Sequence, residues 1–239
     1  MVLLFVFLLT IVASFIQRVS GFGFGIFVMM FFPFFLPSYG ESVMLSGLLA
    51  GSTALMIAVK NRKYIRWRMM GWVVFFNVLF SFLATEYMRS MSNSTLKQCL
   101  GVMLILIALY FFFGEGRMEK IFKSKSAQVT IGSISGIMGG MFAMPGPPIV
   151  LYCISTLENK REYVTTLQAF SVVLNVFYTF FRAKAGFYSD DTWLCWVIGI
   201  GGAVIGSSLG ERCFEIISNR TLKLIVYGMM IISGLVAIL

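Results

Sequence analysis

The chain has 239 residues, of which 59% are hydrophobic and only 12% are charged, whereas ordinary soluble domains are about 45–50% apolar and about 25% charged. A soluble protein of this composition could not cover its surface with polar side chains, but a bilayer accepts apolar surface on every side. The composition therefore excludes a water-soluble globular domain. The net charge of +9 comes from short basic stretches beside hydrophobic segments, which is typical of cytoplasmic loops and indicates no nucleic-acid partner.

Hydrophobic segments follow one another with short connections along the whole chain. A helix rises 1.5 Å per residue, so about 20 apolar residues cross the ~30 Å hydrocarbon core. The first segment has no basic start and no cleavage site, so we expect it to be retained. The pattern predicts an all-α, multi-pass protein of the cytoplasmic (inner) membrane. Its expected segments, about eight, lie near 1–36, 41–59, 69–88, 96–113, 128–157, 163–181, 192–210 and 221–238.

Two pairs of related motifs indicate an internal duplication. Residues 93–97 (NSTLK) and 219–223 (NRTLK) match at four of five positions. Residues 20–25 (SGFGFG) and 135–140 (SGIMGG) form the second pair, and each precedes an apolar stretch that contains proline. Internal repeats of this kind define the architecture of a protein. We predict two homologous halves, a first membrane repeat at 1–113 and a second at 128–239, joined by a cytoplasmic linker at 114–127.

The first and fifth segments are predicted to be broken. As one straight helix the first would be about 54 Å long, far more than the hydrocarbon core requires. We expect its break at the glycines of 21–25, and that of the fifth segment at Gly139 and Gly140, sharpened by 145–148 (PGPP), because glycine and proline disfavour a continuous helix.

Each broken segment could cross the membrane once or return as a re-entrant hairpin. Hairpins would give inverted repeats and would place fourteen Lys and Arg residues on one side against four, whereas single crossings would divide them eleven against seven. Because Lys and Arg favour the cytoplasmic side, the sequence favours inverted repeats.

The two breaks are the candidate substrate site. Non-helical backbone inside a bilayer is tolerated where it is buried or lines a wet cavity, and paired broken helices mark binding sites in transporters. Half-helix N-termini meeting there could hold an anion. The candidate substrate-binding residues are Gln17, Arg18, Ser20, Gly21, Gly23, Gly25, Ser135, Gly136, Gly139, Gly140, Pro145, Gly146, Gln168 and Asn175.

Other interpretations of these residues stay open at this point. The glycines at GxxxG spacing could serve close helix packing, and Gln168 and Asn175 could form interhelical hydrogen bonds. Arg18 is a basic residue in an otherwise uncharged stretch, which favours a functional role, but its side chain could instead reach an interface. The small-residue surfaces also permit a homodimer.

Enzyme chemistry is not expected. Residues 206–210 (GSSLG) match the GxSxG pattern of serine hydrolases, but the chain has no histidine to serve as base. It also has no Gly-rich loop ending in Gly-Lys-Ser/Thr, so we expect gradient-driven transport and no ATP hydrolysis. The four cysteines lack metal-ligand spacing, and neither a cofactor nor a metal is predicted. The alternative is a non-transporting membrane assembly or scaffold component.

The glycine motifs resemble a known family. The run of 20–26 (SGFGFGI) and its counterpart at 135–148 (SGIMGGMFAMPGPP), within a layout of two halves, are similar to the sulfite exporter TauE/SafE family of membrane permeases. The resemblance implies a secondary transporter of a small anion, with sulfite, a sulfonate or a related sulfur compound as the expected substrate. Residues 141–144 (MFAM) depart from the family's usual aliphatic run.

Overall fold

The computed structural model describes residues 2–114, 124–157 and 159–214, together with Ile231 and Leu235. Within those parts the chain is helical and contains no strand. The helices are α1 (Val2–Ser20), α2 (Phe24–Met29), α3 (Phe32–Phe35), α4 (Tyr39–Lys60), α5 (Gly71–Met88), α6 (Asn93–Gly114), α7 (Lys125–Phe142), α8 (Gly146–Thr156), α9 (Lys160–Lys184) and α10 (Asp190–Cys213).

Five of these helices, α1, α4, α5, α9 and α10, are long and apolar enough to cross a membrane. Large apolar side chains such as Trp72, Phe75 and Val176 point outward from the described parts, as lipid-facing positions do. The prediction of an all-α membrane protein is therefore confirmed. The eighth segment, 221–238, lies outside the described residues except for Ile231 and Leu235, so the count of eight stays a prediction, as do the boundaries of the repeats and linker.

Polar side chains at the helix starts explain several of the boundaries. The hydroxyl oxygen of Ser38 accepts a hydrogen bond from the Glu41 N–H at 3.1 Å and caps α4, and Asn159 caps α9 in the same way. A capping box between Ser189 and Thr192 opens α10. Each cap satisfies N–H groups that would otherwise have no partner in the first turn of a helix.

The first predicted segment is a hairpin. After α1 the chain reverses at residues 21–23, and α2 and α3 return alongside it, so that the Phe35 ring stacks on Phe5 with 5.0 Å between ring centroids. The fifth segment also reverses, at 143–145, and α8 returns until the Tyr152 hydroxyl donates to the carbonyl of Met69 at 3.2 Å. This geometry agrees with the re-entrant alternative.

The direction of each helix follows from its contacts at the two ends of α4, which we call the Glu41 end and the Lys60 end. Val2, at the start of α1, borders the same cavity as Glu41 at the start of α4. Arg18, near the end of α1, and Lys60, at the end of α4, both form ion pairs with Glu211 near the end of α10. Helices α1, α4 and α10 therefore all end at the Lys60 end. Helix α9 runs the opposite way: the hydroxyl of Thr166, near its start, accepts a hydrogen bond from the backbone N–H of Arg66 at the Lys60 end.

Glycine stripes hold two helix pairs in parallel. Successive glycines of α10 (Gly202, Gly206, Gly210) face α1 at Phe7, Ile11 and Phe15, while those of α7 (Gly132, Gly136, Gly140) face α5 at Val73, Asn77 and Ser81. A Cβ at Gly136 would lie 2.5 Å from the carbonyl oxygen of Asn77. Small residues therefore let these backbones approach closely, as the packing interpretation of the GxxxG spacing expects.

The same contacts relate the two halves. The three long helices of the first half are α1, α4 and α5, and those of the second half are α7, α9 and α10. The first helix of each half packs on the third helix of the other, so α1 contacts α10 and α7 contacts α5. The two second helices, α4 and α9, pack on each other. Helix α1 is parallel to α4, and helix α7 is parallel to α9. Because α4 and α9 run in opposite directions, the corresponding helices of the two halves do so as well. Among the described helices this is the arrangement that inverted repeats require.

The break in the fifth segment was wrongly placed at Gly139 and Gly140. Both residues are helical, and α7 continues to Phe142. The reversal occurs at Ala143, which adopts a left-handed conformation with φ 56°, and the following prolines prevent α7 from continuing. A larger residue at Gly139 would overlap the Tyr178 side chain, and one at Gly140 would overlap the Ser81 carbonyl.

Candidate functional site

The two chain reversals face each other across a partly open cavity. Its volume is about 50 Å³, which is room for roughly four water molecules or one small oxyanion. The cavity wall consists of 21–26 from the first reversal, 143–147 from the second, Leu167, Phe170, Ser171, Leu174 and Asn175 of α9, and also Gln17, Ala50 and Ile149. Each inverted half thus contributes its broken element to one central space.

The first reversal depends on glycine at two positions. Gly21 and Gly23 have φ of 86° and 99°, in the left-handed region that glycine adopts without steric cost. The single O–H of Ser20 is shared between the carbonyl oxygens of Ile16 and Phe22, which lie 2.8 and 2.7 Å from the hydroxyl oxygen. These contacts fix the point at which α1 ends and α2 begins.

A chain of hydrogen bonds fixes the second reversal. The Tyr178 hydroxyl donates to Asn77 Oδ1 at 2.6 Å, Asn77 Nδ2 donates to the Ser135 hydroxyl at 2.9 Å, and that hydroxyl donates to the carbonyl of Pro145 at 2.6 Å. Ser135 therefore holds its reversal as Ser20 holds the first. Polar side chains predicted to contact substrate thus support the backbone that lines the cavity.

Helix α9 contacts both reversals through one polar face. Near its start the Tyr163 hydroxyl donates to the carbonyl of Ser20 at 3.2 Å, and Gln168 Nε2 donates to that of Gly21 at 2.8 Å. Two turns further on, Asn175 lines the cavity. At the other end of α9, Arg182 donates to the carbonyl of Gly139, in the last turn before the second reversal. A single helix therefore positions both broken elements.

Arg182 was not among the predicted site residues, because the sequence placed it at a segment end. The structure buries it completely. Its Nη1 donates to the Val43 carbonyl at 2.9 Å, and its guanidinium lies 5.3 Å from the centroid of the Tyr178 ring. Its Nε has no partner, and no carboxylate pairs with it, within the parts of the chain that the structure describes. A buried guanidinium without a counter-ion inside a membrane protein indicates function.

The guanidinium of Arg182 lies close to the cavity wall. A Cβ added to Gly47 of α4 would overlap Arg182 Nη1 and would lie 3.1 Å from Asn175 Oδ1. Asn175 itself lines the cavity. Glycine at position 47 therefore lets the Arg182 guanidinium and the amide of Asn175, a residue of the cavity wall, approach the same point of α4.

The predicted site residues fall into two groups. Those that line the cavity are Gln17, Gly21, Gly23, Gly25, Pro145, Gly146 and Asn175. Those that do not are Arg18, Ser20, Ser135, Gly136, Gly139, Gly140 and Gln168. Several members of the second group instead hold the reversals or allow α7 to pack on α5 and α9.

Arg18 lies away from the central cavity. Its guanidinium forms an ion pair with Glu211 and lies 4.8 Å from the Phe214 ring centroid. Glu211 also pairs with Lys60 at 3.5 Å. Arg18 and Glu211 border a separate cavity of about 180 Å³ at the Lys60 end. Arg18 therefore borders this second cavity and not the one between the two reversals, and its role in substrate binding stays a prediction.

Backbone donors are unequal at the two reversals. The first N–H groups of a helix have no partner within it, and Phe24 and Gly25, which begin α2, line the cavity. In α8, by contrast, Pro147 and Pro148 occupy the first turn and have no N–H. Backbone N–H groups could therefore contact an anion from the α2 side only, and side chains must supply the other contacts.

Comparison with known proteins agrees with this architecture. The sulfite exporter TauE/SafE family matches residues 6–237, nearly the whole chain. No curated protein and no solved structure shows significant similarity. Broken elements that meet around a central cavity are found in membrane transporters, and the members of this family are transporters and not enzymes. The chain is a multi-pass membrane protein that belongs to the sulfite exporter TauE/SafE family of transporters.

Proposed function

We propose that the protein is a gradient-driven permease of the cytoplasmic membrane, which carries a small anion of the sulfite, sulfonate or related sulfur class. The observation that carries this proposal is the meeting of both broken elements, one from each half, around one central cavity. Substrate bound there contacts both halves at once, so a rocking movement of one half against the other could expose it to either side in turn.

The charge of the proposed substrate follows from the surroundings of the cavity. Among the residues that the structure describes, no acidic or basic side chain lines the cavity, and Arg182 is a buried cation that lies close to Asn175 of its wall. In a low-dielectric interior an unpaired positive charge favours a nearby anion strongly. Asn175 lines the cavity, and its Oδ1 lies on the side of Gly47 that Arg182 also approaches.

The volume of the cavity supports a small substrate. About 50 Å³ accommodates a compact oxyanion but not a long-chain sulfonate. Closing such a site on both sides prevents leakage of other ions while the substrate is bound. The proposed substrates are therefore those with few atoms beyond the sulfur and its oxygens.

Purified protein in proteoliposomes tests the proposal. Electrical currents on a solid-supported membrane should follow a rapid rise of sulfite or a small sulfonate and should saturate with concentration. Empty liposomes and Arg182→Met proteoliposomes, the latter checked for folded protein, are the controls. A folded wild-type protein that responds to none of these anions would contradict the proposal and favour the non-transporting assembly role.

A further inference from the structure

Two cavities follow one another along α9. Val164 and Thr165, near the start of this helix, border the cavity of about 180 Å³ at the Lys60 end, which we call the outer cavity. Leu167, further along α9, lines the central cavity between the two reversals. On α1 the same change occurs between Arg18, which borders the outer cavity, and Gln17, which lines the central one. The two cavities are therefore separated by about one helical turn, or ~5 Å along the helix axes.

A layer of buried polar groups lies at this boundary. Gln168 is completely buried, its Nε2 donates to the Gly21 carbonyl at 2.8 Å, and its Oε1 accepts from Gln17 Nε2 at 2.7 Å. Both partners line the central cavity. Side chains of a helix lean towards its N-terminus, so that of Gln168 covers the turn of α9 that contains Val164, a residue of the outer cavity. We call Gln17, Gly21 and Gln168 the Gln168 layer.

The hydrogen bonds of Gln168 join the two halves of the protein. Gln168 is on α9 of the second half, whereas Gln17 and Gly21 belong to α1 and to the first reversal. A Cβ at Gly21 would lie 3.3 Å from both Val164 and Leu167, so the first reversal packs closely on α9 at this level. Movement of α9 away from the first reversal must break these hydrogen bonds, and the layer stays closed as long as they remain.

We propose that Gln168 is a gate residue, and that the Gln168 layer closes the passage between the central cavity and the outer cavity. Separation of α9 from the first reversal opens this gate and joins the two cavities. The inference rests on the proposed function and specifies the route by which the substrate passes between the central site and the Lys60 end.

Neutral hydrogen bonds suit a gate that must open repeatedly. Each contributes only modestly to net stability, whereas separating a buried ion pair would leave uncompensated charges and cost much more. The amide groups that separate on opening would meet a polar space, since Arg18, Asn61 and Glu211 border the outer cavity. Water in that space can replace the lost partners.

Cysteine labelling in membrane vesicles tests the gate without a substrate. In a cysteine-free background, Ser171→Cys places a thiol on the wall of the central cavity, and Lys63→Cys identifies the vesicles in which the Lys60 end faces outward. The reagent is 2-sulfonatoethyl methanethiosulfonate, which is small and does not cross the membrane. From the Lys60 end it should label Ser171→Cys at least roughly tenfold faster when Gln168→Ala is added, because two buried hydrogen bonds that hold the gate closed are lost.

Ser14→Ala is the matched control. Ser14 is buried on α1, as Gln17 is, and its hydroxyl lies 3.2 Å from that of Thr53 on α4. Both of these residues belong to the first half, and neither lines the central or the outer cavity. Ser14→Ala should therefore leave the labelling rate of Ser171→Cys unchanged. Gel filtration of each variant checks that the protein is folded.

The side from which labelling accelerates distinguishes a gate from a purely structural contact. In vesicles of the opposite orientation, Gln168→Ala should not raise the labelling rate. An equal rise from both sides, as general loosening of the fold would give, or no rise from the Lys60 end, would overturn the inference and leave the anion permease intact. A folded wild-type protein without sulfite or sulfonate currents would instead contradict the proposed function, whatever the labelling pattern.

Discussion

Gly25 lies where the two broken elements touch, and replacing it with alanine gives a prediction whose sign depends on the structure. Gly25 is in α2, and its φ is not in the left-handed region. Helix propensity alone would therefore make Gly25→Ala stabilising by about 1 kcal/mol. The added Cβ, however, would overlap the carbonyl oxygen of Ala143 in the second reversal, a backbone atom that cannot turn aside.

The account therefore predicts a net loss of about 1–3 kcal/mol for Gly25→Ala, the usual cost of inserting one methyl group into a well-packed interior. Anion affinity should also fall, because the overlap is relieved only if the two walls of the cavity separate. Gly146→Ala is the matched control, since its Cβ would lie 3.5 Å from Phe22 in ordinary contact. Unfolding by SDS titration gives the stability of each variant. A Gly25→Ala protein as stable as Gly146→Ala would refute the reasoning.

The other predictions concern the charge, the second reversal and the topology. Arg182→Lys should keep measurable sulfite binding while Arg182→Met loses it, in titrations of protein whose folding is checked by gel filtration, because lysine keeps the positive charge; equal binding by both would contradict the role of that charge. Ser135→Ala should lower the free energy of unfolding by about 1–2 kcal/mol in SDS titration, since it leaves Asn77 Nδ2 and the Pro145 carbonyl without the hydroxyl that each of them contacts. In a cysteine-free background, single cysteines at the exposed Lys63 and Asp190 should react with impermeant reagents from opposite sides, and labelling from one side only would contradict the helix directions.

Much of the architecture could be predicted from the sequence because bilayer thickness constrains it strongly. Uncharged runs of the right length gave helices whose ends agree within a few residues, as for α4 (Tyr39–Lys60) against the expected 41–59. The first segment was too long to cross once, and its break lies at the glycines as expected. The distribution of Lys and Arg favoured hairpins, and the described helices run in the directions that hairpins require.

The charge beside the cavity could not be found in this way. Arg182 follows an apolar run, and the sequence alone does not distinguish an arginine at an interface from one that is completely buried. A signal was nevertheless present: Gln168, Ser171, Asn175, Tyr178 and Arg182 recur every three or four residues and therefore share one face of α9. A polar face of this length on an apolar helix indicates a buried function in a membrane.

The second reversal was misplaced for a related physical reason. Glycine weakens a helix by only about 1 kcal/mol, and close packing can offset that amount. Gly136 and Gly140 remain helical because α5 lies directly against them. The stronger local signal was the proline-rich run 145–148, since proline lacks the N–H that a continuing helix needs.

The measurement that tests the central claim most directly is anomalous diffraction from crystals of the protein grown with selenite, a heavier analogue of sulfite. The account predicts one selenium peak in the cavity between Gly25, Gly146 and Asn175, and its loss in Arg182→Met crystals grown under the same conditions. A selenium peak beside Arg18 and Glu211, with none between the two reversals, would contradict the claim that the broken elements form the anion site.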